Sequence, residues 1–144
     1  MLQVQNIQFS YQDKKNIESI NFSLENAKHL AIIGESGCGK STLLKLIYGL
    51  YDLDEGHIFW NDIEVLGPKY NLVPGMPFIK YLAQDFDLMP FITVAENVGK
   101  YLSNFFPEAK QVRIAELLEI VEMTEYANVK AKLLSGGQMQ RVAL

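Results

Sequence analysis

The sequence predicts an α/β fold, on three observations. Residues 30–33 form an apolar run that stops at a glycine-rich loop, and an amphipathic helix follows that loop. Segments before and after this unit alternate between apolar and polar residues, as half-buried strands do. Residues 91–127 are mainly helical in pattern, so strands surround helices along the chain.

Each element can be justified in order. Residues 2–9 set Leu2, Val4 and Ile7 broadly against Gln3, Gln5 and Gln8, which predicts an edge or half-buried strand. Residues 17–24 read the same way, with Ile20, Phe22 and Leu24 on one face, and the lysine-rich turn 12–16 between the two predicts a hairpin. Leu30, Ala31, Ile32 and Ile33 offer no polar face, which predicts a central, parallel strand buried on both sides. Residues 42–50 predict a helix whose broad apolar face is Leu43, Leu44, Leu46 and Ile47, weakened near its end by Gly49. Residues 56–65 return to strand character, 67–77 form a loop, and 79–83 form a short apolar strand stopping at Gln84. Thr93 and Glu96 have the spacing of a capping box for a helix reaching about Leu102. Pro107 opens the next helix in a favoured first-turn position, with Ile114, Leu117, Leu118 and Val121 as its stripe. Ser135 and Gln138 make a second capping box, ahead of a helix through Leu144.

Composition bounds the function. A chain of 144 residues suffices for one domain with a real core. At a net charge of −4 nothing suggests a non-specific nucleic-acid binder, so no nucleic acid is expected as a partner. The lone cysteine, Cys38, fits a reducing compartment. No apolar run reaches the roughly 18 residues that span a bilayer, and the N-terminus has neither the basic start nor the apolar stretch of a signal peptide. These features predict a cytosolic protein. His29 and His57 read as surface residues, without metal-ligand spacing around them.

The stretch GESGCGKST at 34–42 carries the chemistry. Gly34-x-x-x-x-Gly39-Lys40-Ser41 completes the phosphate-loop pattern between a predicted strand and a predicted helix, the context that pattern requires. Backbone N–H groups in such a loop converge on an anion, and absent side chains let phosphate oxygens come close. The helix start aims its positive dipole end at the same place. Lys40 supplies a point charge for the β- and γ-phosphates, and Ser41 a hydroxyl for Mg²⁺. The second glycine cluster, Ser135-Gly136-Gly137-Gln138, reads on its residues alone either as a plain turn before a helix or as N–H groups exposed to an anion.

LSGGQ at 134–138, followed by MQRVAL, resembles the signature motif of the ATP-binding cassette (ABC) ATPases, and it stands in one chain with the phosphate loop. The resemblance covers the whole chain. It implies a P-loop NTPase with a RecA-like core, here incomplete, an antiparallel β subdomain and an inserted helical subdomain. The implied division is 1–28 and 56–80 for the β subdomain and 29–55 and 79–85 for part of the core. Residues 88–134 are then the helical subdomain, and 134–144 the signature and the start of its helix. The resemblance further implies ATP and Mg²⁺ as cofactors. Tyr11, Gly34, Ser36, Gly37, Cys38, Gly39, Lys40, Ser41 and Thr42 would bind the nucleotide, with Tyr11 stacked on adenine. Lys40 and Gln84 would be catalytic, Ser41 and Gln84 would reach the Mg²⁺, and Ser135, Gly136, Gly137 and Gln138 would meet the partner's ATP. On the residues alone, Tyr11 is more often a strand-end aromatic and Gln84 just a polar residue at a strand end.

The family's Walker B aspartate-glutamate pair and later histidine have no counterpart in residues 1–144, so the expectation is an N-terminal piece of an ABC ATPase. The family's topology implies that 30–33 and 79–83 are not neighbours, and predicts an incomplete sheet. The implied function is ATP binding and, in the full-length parent, hydrolysis that drives transport, with binding at most in residues 1–144. The implied partners are a second ATPase subunit, arranged head to tail, and transmembrane permease subunits, on the cytoplasmic face of the membrane. The segment 86–98 is similar to the one facing the permease. A ribosome-associated ABC ATPase and an inert fragment are the alternatives. The chromosome-maintenance branch is disfavoured, because no sustained heptads separate Gly34 from Ser135.

Overall fold

Leu2, Val4, Ile7 and Phe9 are the buried residues of strand β1 (Leu2–Tyr11) in a computed structural model that describes residues 1–12 and 14–144. The alternation slips by one residue between Val4 and Ile7, and the register explains it. Val4 faces Phe22 and Ile7 faces Ile20 on strand β2 (Lys14–Leu24), so β1 carries one extra residue there. Asn6, at φ 47°, is in the left-handed region within that step, and its N–H donates to Asn21 Oδ1 at 2.7 Å. The predicted hairpin is present, with Tyr11 opposite Lys14, and Asp13 of its turn lies outside the described residues.

The sheet has the order β2-β1-β3-β4, with β3 at Glu55–Trp60 and β4 at Ile63–Glu64, and all its ladders are antiparallel. Residues 56–65 are therefore not one strand but a hairpin. Asn61 and Asp62, at φ 45° and 67°, form its two-residue turn, the conformation that suits the twist of paired strands. Helix α1 (Lys40–Tyr48) begins two residues earlier than predicted. It ends at Gly49, whose φ of 84° lets Leu50 N–H return to Lys45 O at 2.9 Å, a left-handed cap that closes the helix rather than weakening it. Leu43 and Leu46 join the buried sheet residues and Ile58 and Val65 in one core, whereas Leu44 is exposed.

Two predicted strands do not form. Residues 30–33 make no ladder, with Leu30 half exposed and Ile33 92% exposed, and residues 79–83 make none either. A strand exists only through a neighbour that takes its N–H and C=O groups, and no described residue pairs with either run. Ile32 and Ile79 still pack on the core. The two runs do not pair with one another, as the resemblance implies.

These elements make up one compact unit, Met1–Tyr81; the second is Leu82–Leu144. The second unit holds α2 (Val94–Gly99), α3 (Pro107–Ile120) and α4 (Gly136–Ala143), with single 3₁₀ turns at Thr124–Tyr126 and Ala131–Leu133. Val94, Ile114, Leu118, Met123, Leu134 and Val142 form its core. α2 stops at Gly99, short of the predicted Leu102, where a Cβ would lie 2.7 Å from Ile114 Cδ1, so the glycine permits the close approach of α3. No helix among the described residues is long and apolar enough to cross a membrane.

Candidate functional site

The loop ahead of α1 is shaped by where glycine is required. Gly37 and Gly39 have φ of 83° and 99°, a region that other L-residues rarely adopt. A Cβ on Gly39 would lie 3.0 Å from Ile17 Cδ1 and 3.1 Å from Asn16 O, so the loop passes closely over β2. A Cβ on Gly34 would lie 2.7 Å from Cys38 Sγ, so the loop also closes on itself. Residues 34–38 are exposed, and Gly39 and Lys40 are half-buried.

Lys40 completes the closure. Its ammonium donates to Gly34 O at 2.9 Å and Glu35 O at 2.6 Å, and lies 3.6 Å from Cys38 Sγ. Among the described residues its partners are neutral, so the charge stays uncompensated at the mouth of the loop. Ser41 is exposed and Thr42 half-buried in the first turn of α1. A helix N-terminus, a glycine loop and an unneutralised ammonium at one point together fit a phosphate group.

Tyr11 is in the same unit, 39% exposed at the end of β1. Its ring is perpendicular to those of Phe9 (4.7 Å, 87°) and Tyr51 (5.6 Å, 83°), which are stacked on each other at 5.4 Å and 20°. Burial, then the neighbouring Tyr51 hydroxyl, raises the Tyr11 phenol above its ordinary pKa, while Thr42 pulls the other way. Its neutral form is thereby favoured.

The remaining expected residues lie in the second unit. Gln84 is exposed in a turn closed by Phe86 N–H on Ala83 O at 3.0 Å. Ser135 caps α4, its Oγ accepting from Gln138 N–H while Gln138 Oε1 accepts from Ser135 N–H at 2.8 Å. A Cβ on Gly136 or Gly137 would meet no atom within 4 Å. Among the described residues nothing packs so as to demand either glycine, yet each costs helix stability. The Thr93–Glu96 capping box on α2 is formed as well.

Two contributing residues escaped sequence reasoning. Tyr51 meets Tyr11 only through the fold. Asn97, 6% exposed, accepts from Met89 N–H at 2.8 Å and donates to Met89 O and Thr93 O at 3.0 Å, fixing the segment after Gln84. Its signal was an amide on the buried face of α2, four residues after Thr93. No group of His, Cys, Asp and Glu among the described residues could hold a metal by itself.

A family model described as ABC transporter matches residues 17–144. The chain is 37% identical over 147 residues to the spermidine/putrescine import ATP-binding protein PotA of Pasteurella multocida, covering 100% of this chain and 38% of that protein. It is 31% identical over 145 residues to the Fe(3+) ions import ATP-binding protein FbpC of Fusobacterium nucleatum, covering 99% of this chain and 38% of that one. The chain thus spans well under half the length of these curated relatives. Among solved structures it is similar to MJ0796 in a dimeric post-hydrolysis state bound to ADP and Pi, with a TM-score of 0.73, 26% identity, and coverage of 99% of this chain and 67% of that one. A second dimeric structure of MJ0796, described as a bacterial ABC transporter cassette, gives a TM-score of 0.74 at 28% identity, with the same coverage.

Proposed function

This chain belongs to the ABC transporter family, and on that premise we propose that it is the nucleotide-binding part of a subunit that drives transport with ATP. The observation that supports this most is Lys40, whose ammonium lies on the carbonyls of Gly34 and Glu35 at the start of α1. The loop's backbone N–H groups would hold the phosphates, and Lys40 would turn from the loop carbonyls to the β- and γ-phosphate oxygens. Ser36, Gly37, Cys38, Gly39 and Thr42 would line this cradle, and Tyr11 would stack on adenine. Ser41 would hold Mg²⁺, which when bound neutralises phosphate charge.

The bare glycines of α4 support a role toward a second subunit. Open space before Gly136 and Gly137 suits the approach of that subunit's γ-phosphate to the Ser135–Gln138 cap. The subunits would then pair head to tail with ATP between them, and the dimeric neighbours are consistent with such pairing. The relatives named for import favour an import system with transmembrane permease subunits, this chain lying on the cytoplasmic face. The relatives carry two unrelated cargoes in their names, so the proposal stops at transport. Hydrolysis is proposed for the full-length protein.

The test is ATP turnover and co-purification by the full-length protein. Mg²⁺-dependent hydrolysis and recovery with integral membrane proteins support the reading. Recovery with ribosomes, or absence of turnover, contradicts it.

A further inference from the structure

We propose that Tyr51 is a positioning residue for the nucleobase: it fixes the ring of Tyr11 from beyond the far end of α1. This rests on the reading that Tyr11 stacks on adenine. Tyr51 follows the left-handed cap at Gly49, where Leu50 N–H returns to Lys45 O. That reversal carries residue 51 back against the sheet, where it packs on the core. Its ring lies parallel to Phe9 at 5.4 Å and nearly perpendicular to Tyr11 at 5.6 Å. Tyr11 is also perpendicular to Phe9 at 4.7 Å, so rotation of its ring would disturb two edge-to-face contacts at once. Its remaining exposed surface is what a base can reach. Lys45, in the last turn of α1, lies 5.8 Å from the centre of the Tyr51 ring, and Thr42, in the first turn, neighbours the Tyr11 hydroxyl. The last turn of the helix that follows the phosphate loop thus lies beside the pair.

A residue acting through Tyr11 should affect the base and not the phosphates. The experiment is calorimetric titration of the full-length protein with Mg-ATP and, separately, with Mg-tripolyphosphate. The variants are Tyr51→Ala, Tyr51→Phe, Tyr11→Ala and the double alanine variant. Tyr51→Ala is expected to raise the ATP Kd about two- to tenfold and leave tripolyphosphate binding unchanged. Tyr51→Phe, which keeps the ring, should match the parent, and the double variant should bind ATP no more weakly than Tyr11→Ala alone. Unchanged ATP binding in Tyr51→Ala while Tyr11→Ala weakens it overturns the proposal and spares the adenine reading. Equal losses for both ligands, or additive losses in the double variant, also overturn it. If Tyr11→Ala binds ATP like the parent, the adenine reading falls and the proposal with it.

Discussion

Ser135 and Gln138 hold each other at the start of α4, Ser135 N–H donating to Gln138 Oε1 at 2.8 Å and Gln138 N–H to Ser135 Oγ at 3.4 Å. The cap keeps the helix start ordered although its first two residues are glycines. Because a Cβ at Gly137 meets nothing within 4 Å, Gly137→Ala is expected to keep the fold and to gain up to about 1 kcal/mol of helix stability. The same methyl should obstruct an approaching subunit. Full-length Gly137→Ala, and Ser135→Arg more severely, should bind ATP as a monomer and fail to dimerise with it. Sedimentation with and without ATP reads this directly; loss of monomer binding would show the motif acting within its own chain.

Tyr11 should contribute on the order of 1 kcal/mol to ATP binding through its ring. Tyr11→Ala is expected to raise the Kd several-fold, and Tyr11→Trp to keep the parent's affinity. If fluorescence titration finds all three proteins equal, Tyr11 serves only the Phe9 and Tyr51 packing.

Gly56 makes a prediction about stability. At φ 87°, its missing side chain faces Asn6 O, which a Cβ would approach to 2.4 Å, and Gln5 O at 2.5 Å. Gly56→Ala therefore forces the β1–β3 pairing apart, and chemical denaturation should show a loss on the order of 2 kcal/mol. A change within a few tenths of a kcal/mol would mean that the bulge at Asn6 yields freely.

The capping box on α2 predicts a pH dependence. Glu96 accepts from Thr93 N–H at 2.7 Å and Thr93 Oγ1 at 2.8 Å, bonds that, led by the backbone one, hold its carboxyl below the ordinary value of 4.5. A depressed pKa in the folded state contributes stability that is present above the unfolded value. That stability is lost as pH falls through the folded one. The stability advantage of the parent over Glu96→Gln should thus be constant from neutral pH down to about 5 and shrink below it. An advantage that does not shrink below about pH 5 would sever Glu96 from the cap.

The phosphate loop, both capping boxes and the start of α3 were legible in the sequence because each is a local pattern, complete within nine residues or fewer. Local patterns failed where a partner decides the outcome. Residues 30–33 have the composition of a central strand, yet without a neighbour among the described residues they form no ladder. The β3–β4 hairpin was missed because Asn61 and Asp62 make its turn without the glycine that usually marks one. The bulges of β1 are invisible to an alternation rule that allows no slip, and Asn6 is where it slips. Tyr51 could not be connected to Tyr11 from spacing, since their contact comes from the fold across forty residues.

The central claim is that Lys40, now on the carbonyls of Gly34 and Glu35, serves a bound polyphosphate. Titration of the full-length protein and its Lys40→Ala variant with Mg-ATP tests it most directly. Loss of a charged hydrogen bond predicts a Kd higher by roughly 10- to 100-fold in the variant. Equal affinity in the two proteins would contradict the account.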